Sequence, residues 1–191
     1  MSLIKSLGVA FALAVSSVSM AAPAATAQTI VTIDEGRILR DSKAGKHIQS
    51  QLKSIETQIQ GELKPARTAL ETEARALEAK SKDKTPEQLN ADADFVSKYV
   101  AYQNNARNYA QKQKIVANEF AMTERKALID FNKALEPALK DVVADKKADI
   151  VLARSQVVYS GPTVDVSALV ISKLDSKTPT IAVSRQRMPT K

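Results

Sequence analysis

The chain has 191 residues, with 28 Lys and Arg against 21 Asp and Glu, for a formal charge of +7. It has no Cys, no Trp and one His, which excludes a disulfide framework, a thiolate metal site, a Cys nucleophile and a His-based metal cluster. Its five glycines fit neither the dinucleotide nor the P-loop spacing, and a composition rich in Ala, Lys, Gln, Glu and Leu favours long helices.

Residues 1–27 read as an export signal. Lys5 gives a short positive start and Leu7 to Val18 an apolar run too short to span a bilayer comfortably. Ala25-Thr26-Ala27 is a small-x-small site that places cleavage before Gln28, with Met20-Ala21-Ala22 as a weaker alternative. The mature chain is then about 164 residues long and carries 27 basic and 21 acidic side chains. Export makes nucleic acid a poor candidate partner despite the charge.

Thr29-Ile30-Val31-Thr32-Ile33 is a β-branched run that predicts a short strand. Asp34 to Arg40 turns the chain toward a helix, and Gly45 marks a bend or a close approach. From about Lys46 to Lys80 one apolar stripe recurs: Ile48, Leu52, Ile55, Ile59, Leu63, Ala66, Leu70, Ala74 and Leu77. Its mean step of about 3.6 residues predicts a nearly straight helix that buries one side. Pro65 lies within it, removes one backbone bond and predicts a kink.

After the polar break Ser81 to Lys84, Thr85-Pro86-Glu87-Gln88 combines an N-cap, a first-turn proline and a capping-box partner. A helix is predicted from Pro86 to about Lys140, interrupted only by Pro137. Two long helices joined by about five polar residues must run antiparallel. Beyond Asp149, Ile150-Val151-Leu152 and Val157-Val158-Tyr159 predict a β-hairpin. Gly161-Pro162 turns the chain and Asp165 caps a short helix carrying Val166, Leu169, Val170 and Leu174. Lys177 to Lys191 has no period and reads as a mobile tail.

The predicted fold class is therefore mainly α with a small β body. A long antiparallel helical hairpin is inserted between the first strand and a β-hairpin plus a short C-terminal helix. The expected units are a signal peptide (1–27), a body (28–45 and 141–176), an arm (46–140) and a tail (177–191). A body of about 40 ordered residues is marginal alone, and oligomerisation is the usual remedy. The expected interface is Ile30, Val31, Ile33, Ile150, Val151, Leu152, Val157, Val158 and Tyr159.

The second long helix carries Phe95, Tyr99, Tyr102, Ala106, Tyr109, Gln113, Val116 and Phe120 in steps of four and three. Apolar stripes at helical spacing are usually packing surfaces, so the expectation is that most of this row meets the first helix. A part of it, Phe95, Tyr99, Tyr102 and Tyr109 with Arg107, Lys112 and Lys114 beside them, is the candidate surface for loose contact with a client. Tyrosine suits that role because one end is apolar and the other tolerates water. Pro65 and Pro137 are the candidate hinges, with fixed kinks as the alternative. His47, near a helix start, lacks a second ligand or paired base and reads as solvated; Arg37, Arg40, Lys43 and Lys46 read as surface charges.

Several stretches together resemble the OmpH-like (Skp) family of periplasmic chaperones. They are Ile33-Asp34 with Arg37-Ile38-Leu39, Ser42-Lys43-Ala44-Gly45-Lys46, Thr85-Pro86-Glu87, Leu135-Glu136-Pro137-Ala138-Leu139, Asp149-Ile150-Val151-Leu152, Val157-Val158-Tyr159, and Val164 to Ser167 leading into Val170 to Leu174. The chain departs from the family at Lys146-Lys147, where a Gly-aromatic turn is frequent, at Ser167, where Thr is commoner, and in the tail from Lys177. The resemblance implies a homotrimer whose bodies associate through their sheets and whose arms enclose a cavity. It implies a periplasmic holdase for unfolded outer-membrane proteins that works without ATP, any cofactor or a small-molecule substrate. It also implies contact with anionic lipid or lipopolysaccharide, although no motif for such a site matches here. The basic balance suits steering of acidic clients, or solubility alone. The alternative reading is an envelope adaptor whose hairpin docks on a fixed partner; an interfacial membrane helix is weak because its polar face carries both signs.

Overall fold

The computed structural model describes residues 28–189; the predicted export signal lies outside them. Strand β1 (Ile30–Ile33) leads into helix α1 (Glu35–Asp41), then α2 (Lys43–Ser81), α3 (Pro86–Ala91), α4 (Ala93–Lys146), strand β2 (Ile150–Ala153) and α5 (Ser167–Lys177). The first three helix starts each have a local cause. The Asp34 carboxylate accepts from Arg37 N–H, Ser42 Oγ from Gly45 N–H, and Thr85 and Gln88 form the expected capping box.

Ser42 is fully buried and serves two helices, since its own N–H donates to Ile38 O at the end of α1. The joint is tight. A Cβ placed on Gly45 would lie 1.7 Å from the Leu39 carbonyl oxygen. Gly45 therefore provides the predicted close approach, inside the first turn of α2.

The strands pair parallel, with Ile30 opposite Ile150 and Ile33 opposite Ala153. Parallel pairing needs a crossover, and here the whole helical hairpin supplies it. On its other side β1 exchanges bonds with the approach to α5: Thr32 N–H donates to Val164 O and Val166 N–H to Thr32 O. The predicted β-hairpin is not formed. After β2 the chain makes a 3-10 turn at Arg154–Gln156, and Val158 and Tyr159 stand in solvent, 107% and 84% exposed. Their strand propensity finds no edge within one protomer, and propensity without a partner decides little.

The body core joins Val31, Ile33, Ile38, Ala44 and Ile48 to Phe131, Leu135, Ala138 and Val142 of α4, and to Val166, Val170 and Leu174. It thus crosses both expected body–arm boundaries. Of the nine expected interface residues, Val31 and Ile33 are sealed inside this protomer core, whereas Ile30, Ile150, Val158 and Tyr159 remain exposed. Asp165 ties the body together. Its carboxylate accepts from Ser167 N–H and Oγ–H, and lies 3.2 Å from the Arg154 and 3.9 Å from the Arg37 guanidinium. Asp165 precedes α5 by two residues, and Val166 occupies the cap position itself.

Two further expectations change. The helix predicted from Pro86 is broken at Asp92, whose side chain caps α4 by accepting from Phe95 N–H. At its other end α4 runs past Lys140 to Lys146 and closes on Lys147, which is left-handed at φ 49°. A Cβ-bearing residue at such a C-terminal position costs about 1–2 kcal/mol relative to glycine's freedom there.

Candidate binding surface of the helical hairpin

Helices α2 and α4 run antiparallel and are about 58 and 81 Å long at ~1.5 Å per residue. Near the body they share a second small core of Ile55, Ile59 and Val116, with Leu63 and Phe120 packed on it. Beyond that point the packing thins. No residue from Gln60 to Ile115 is fully buried. Two helices alone can cover only one side of each other, so the distal hairpin keeps its width in water. Elements with few buried apolar contacts sit at the low-stability end of a fold.

The tip is held by charge. Lys84 Nζ lies 3.3 Å from Asp92, Lys98 Nζ 3.0 Å from Asp94, and Lys80 also pairs with Asp94. The hydrogen bonds from Lys80 and Lys98 hold the Asp94 carboxyl below its ordinary value. Pairs this accessible contribute little to stability; of the three, only Lys80–Asp94 joins α2 to α4.

The predicted aromatic row lies along one line of α4. Tyr102 and Tyr109 are half-buried toward α2, Phe95 is half-buried at the start, and Tyr99 is 45% exposed. Phe95 and Tyr99 stack with centroids 6.2 Å apart. Further in, Val116 is buried and Phe120 half-buried. Of the three cations, Arg107 folds back on Gln103 O and Asn104, Lys112 reaches across to Glu62 O at 3.2 Å, and Lys114 is exposed. The row therefore grades from packing surface at the base to wet surface at the tip. Pro65 and Pro137 lie on exposed faces of helices that continue through them.

A second apolar row was missed in the sequence. Ile115, Met122 and Ile129, seven residues apart, are 37%, 49% and 48% exposed on α4, with Leu128 beside them and Val96 and Val100 nearer the tip. The seven-residue step was the available signal; the aromatic row, being longer, obscured it. Among the described residues no helix is long and apolar enough to cross a membrane, and no cluster of three or more His, Asp or Glu side chains is placed to hold a metal ion.

The C-terminal segment, expected as a mobile tail, runs along the hairpin and contacts it. Ile181 is buried in the body core, and Val183 packs against both cores. Arg185, 7% exposed at its side chain, donates to Glu119 on α4 at 2.7 Å and to Glu62 on α2 at 2.8 Å. Burial pushes the Glu62 carboxyl up, but the hydrogen bonds and charge of Arg185 and Arg187 outweigh it and hold the group below its ordinary value. His47 is not free in solvent either: its Nδ1 lies 3.0 Å from the Ile181 carbonyl.

This arrangement of a small mixed body carrying a long hairpin is matched among known proteins. The family model described as outer membrane protein (OmpH-like) matches residues 29–174. The chain belongs to the OmpH-like family. A solved structure from Caulobacter crescentus CB15, assigned as an OmpH-like outer membrane chaperone, is similar at 27% identity with a TM-score of 0.71. The match covers 84% of this chain and 92% of that one. No curated protein matches the chain.

Proposed function

We propose that the chain is a periplasmic holdase that keeps unfolded outer-membrane proteins soluble between its helical arms, without nucleotide. The observation that carries this reading is the distal hairpin: a lever tens of ångströms long with no sealed core from Gln60 to Ile115 and with apolar side chains distributed along wet faces. Such a surface suits many weak contacts with an extended chain and poorly suits one rigid partner. The solved relative assigned as an outer membrane chaperone points the same way.

The body supplies the second half of the proposal. The sheet of one protomer has two strands, and a lone two-stranded unit is marginal in water. Ile30, Ile150, Val158, Tyr159 and Leu169 stay exposed around it. We assign these side chains to contacts between copies, with a trimer as the assembly that the family resemblance implies. Three arms then stand around one space, and the exposed side chains of α4, Tyr99 with Ile115, Met122 and Ile129, line it. Pro65, outside both cores, is the site where each arm bends, whereas Pro137 is flanked by Leu135 and Ala138 of the body core. An excess of Lys and Arg steers acidic clients inward.

The adaptor reading requires a tight apolar seam for a fixed partner. The wet rows of α4 are interleaved with Gln103, Asn104, Asn105, Asn108 and Gln111, which disfavours such a seam. The deciding experiment dilutes a denatured outer-membrane β-barrel protein from urea, with and without the mature chain and with no nucleotide. Suppression of light scattering at one assembly per client is expected. Scattering unchanged at that ratio rejects the holdase.

A further inference from the structure

The segment after α5 is bound in the manner of a peptide ligand. Pro179 cannot continue the helix, and the chain leaves α5 at Thr178 to run along the base of the hairpin. From there its main chain is held by side chains. Gln51 receives it twice: Nε2 donates to Ile181 O at 2.8 Å and Oε1 accepts from Val183 N–H at 3.0 Å. Thr123 Oγ1 accepts from Gln186 N–H at 2.9 Å, and Glu119 Oε1 from Met188 N–H at 3.0 Å. These four main-chain contacts do not depend on the side chains of the bound segment.

Side-chain selection rests chiefly on three positions. Ile181 and Val183, two residues apart, press on the two cores. Arg185 enters a slot between the helices: its Nε and Nη2 donate to Glu119 at 3.0 and 2.7 Å, and its Nη1 donates to Glu62 at 2.8 Å. Glu119 is itself 6% exposed at its side chain. Arg187, 61% exposed, adds a looser contact at 3.4 Å to Glu62 and 3.6 Å to Glu119. Thr123 is fully buried, with its hydroxyl donating to Glu119 O.

We propose that the base of the hairpin is a binding site for an extended peptide of pattern apolar-x-apolar-x-Arg, filled in cis by the chain's own residues 181–188. Main-chain hydrogen bonds give such sites affinity and a few pockets give them specificity. The tail is tethered three residues from its site, and tethering supplies millimolar effective concentration. A site of modest intrinsic affinity is then kept full and remains open to exchange. The tail is thus a strap that closes α2 against α4 near the body while leaving the distal arm unconstrained. This inference stands apart from the holdase reading, and its test uses no client protein.

The probe is a fluorescent peptide copying residues 178–189, followed by anisotropy against three proteins: the mature chain, the same chain ending at Thr178, and the full mature chain carrying Arg185→Ala. The shortened chain should bind the peptide at least tenfold tighter than the intact chain does, and a peptide carrying Arg185→Ala should lose at least tenfold. The full-length Arg185→Ala protein should admit the wild-type peptide more readily than the intact chain, which keeps the test decisive if the shortened chain does not fold. Equal binding by intact and strap-weakened proteins overturns the proposal, as does a peptide whose binding is indifferent to its arginine.

Discussion

Replacing Gly45 with Ala tests how the arm is joined to the body. The added carbon would sit 1.7 Å from Leu39 O, 2.7 Å from the Leu39 carbonyl carbon and 3.1 Å from Ser42 Oγ. The two nearest atoms are backbone and cannot rotate aside, so α1 must move against α2 by more than an ångström. Overpacking of this kind costs about 1–3 kcal/mol, and occasionally more. The helix propensity of Ala returns at most about 1 kcal/mol. Because two backbone atoms lie far inside contact distance, the upper end of that cost applies, and the net expectation is a loss of about 2 kcal/mol. Gly61→Ala is the internal control, because nothing lies within 4 Å of its Cβ position in the same helix; there the propensity gain of up to about 1 kcal/mol should appear alone. Urea unfolding followed by circular dichroism reads both. With a slope of about 2 kcal/mol per molar urea, Gly45→Ala should lower the midpoint by about 1 M and Gly61→Ala should raise it. A Gly45→Ala chain as stable as the parent would refute the packing argument.

Acid should loosen the body. The hydrogen bond from Ser167, with the charges of Arg37 and Arg154, holds the Asp165 carboxyl below its ordinary value. A carboxyl depressed in the folded state stabilises above its unfolded value of about 3.9, and that contribution is lost as pH falls through the lower folded value; Asp165→Asn should flatten the stability profile below about pH 4, and an unchanged profile would contradict the role given to it. On the body surface, Val158→Ser with Tyr159→Ser should dissociate the assembly in sedimentation while leaving the helical signal of the protomer intact, because neither side chain packs within it. Client affinity should fall as salt rises from 20 to about 150 mM, since the screening length shortens from roughly 20 to 8 Å; affinity indifferent to salt would reject electrostatic steering.

The helical hairpin was legible because its signals are periodic and local: the stripe from Ile48 to Leu77, and the capping box at Thr85 with Pro86. Gly45 was legible as a close approach, though its partner, the Leu39 carbonyl, was not. The features that were misread share a different cause. Val157 to Tyr159 looks like a strand, but a strand exists only where an edge receives it. Asp92 breaks the second helix because its carboxylate caps Phe95 N–H, a local choice that competes with helix continuation and leaves the apolar period intact. The strap carries no helical period, and its two prolines resemble those of a free tail. Only the Ile181-Ala182-Val183 alternation hinted at an extended segment with one face buried. Its anchoring groups, Gln51, Glu119 and Thr123, lie more than 60 residues away and are ordinary polar residues in sequence. The exposed row Ile115, Met122 and Ile129 lacks the aromatic marks that drew attention to its neighbour.

The central claim is that small bodies associate so that their arms stand around a shared space. Multi-angle light scattering of the mature chain at micromolar concentration, without and with one unfolded outer-membrane protein, tests it most directly. Three times the protomer mass is expected alone, and that mass plus a single client when loaded. A stable species of one protomer mass that takes up no client would contradict it.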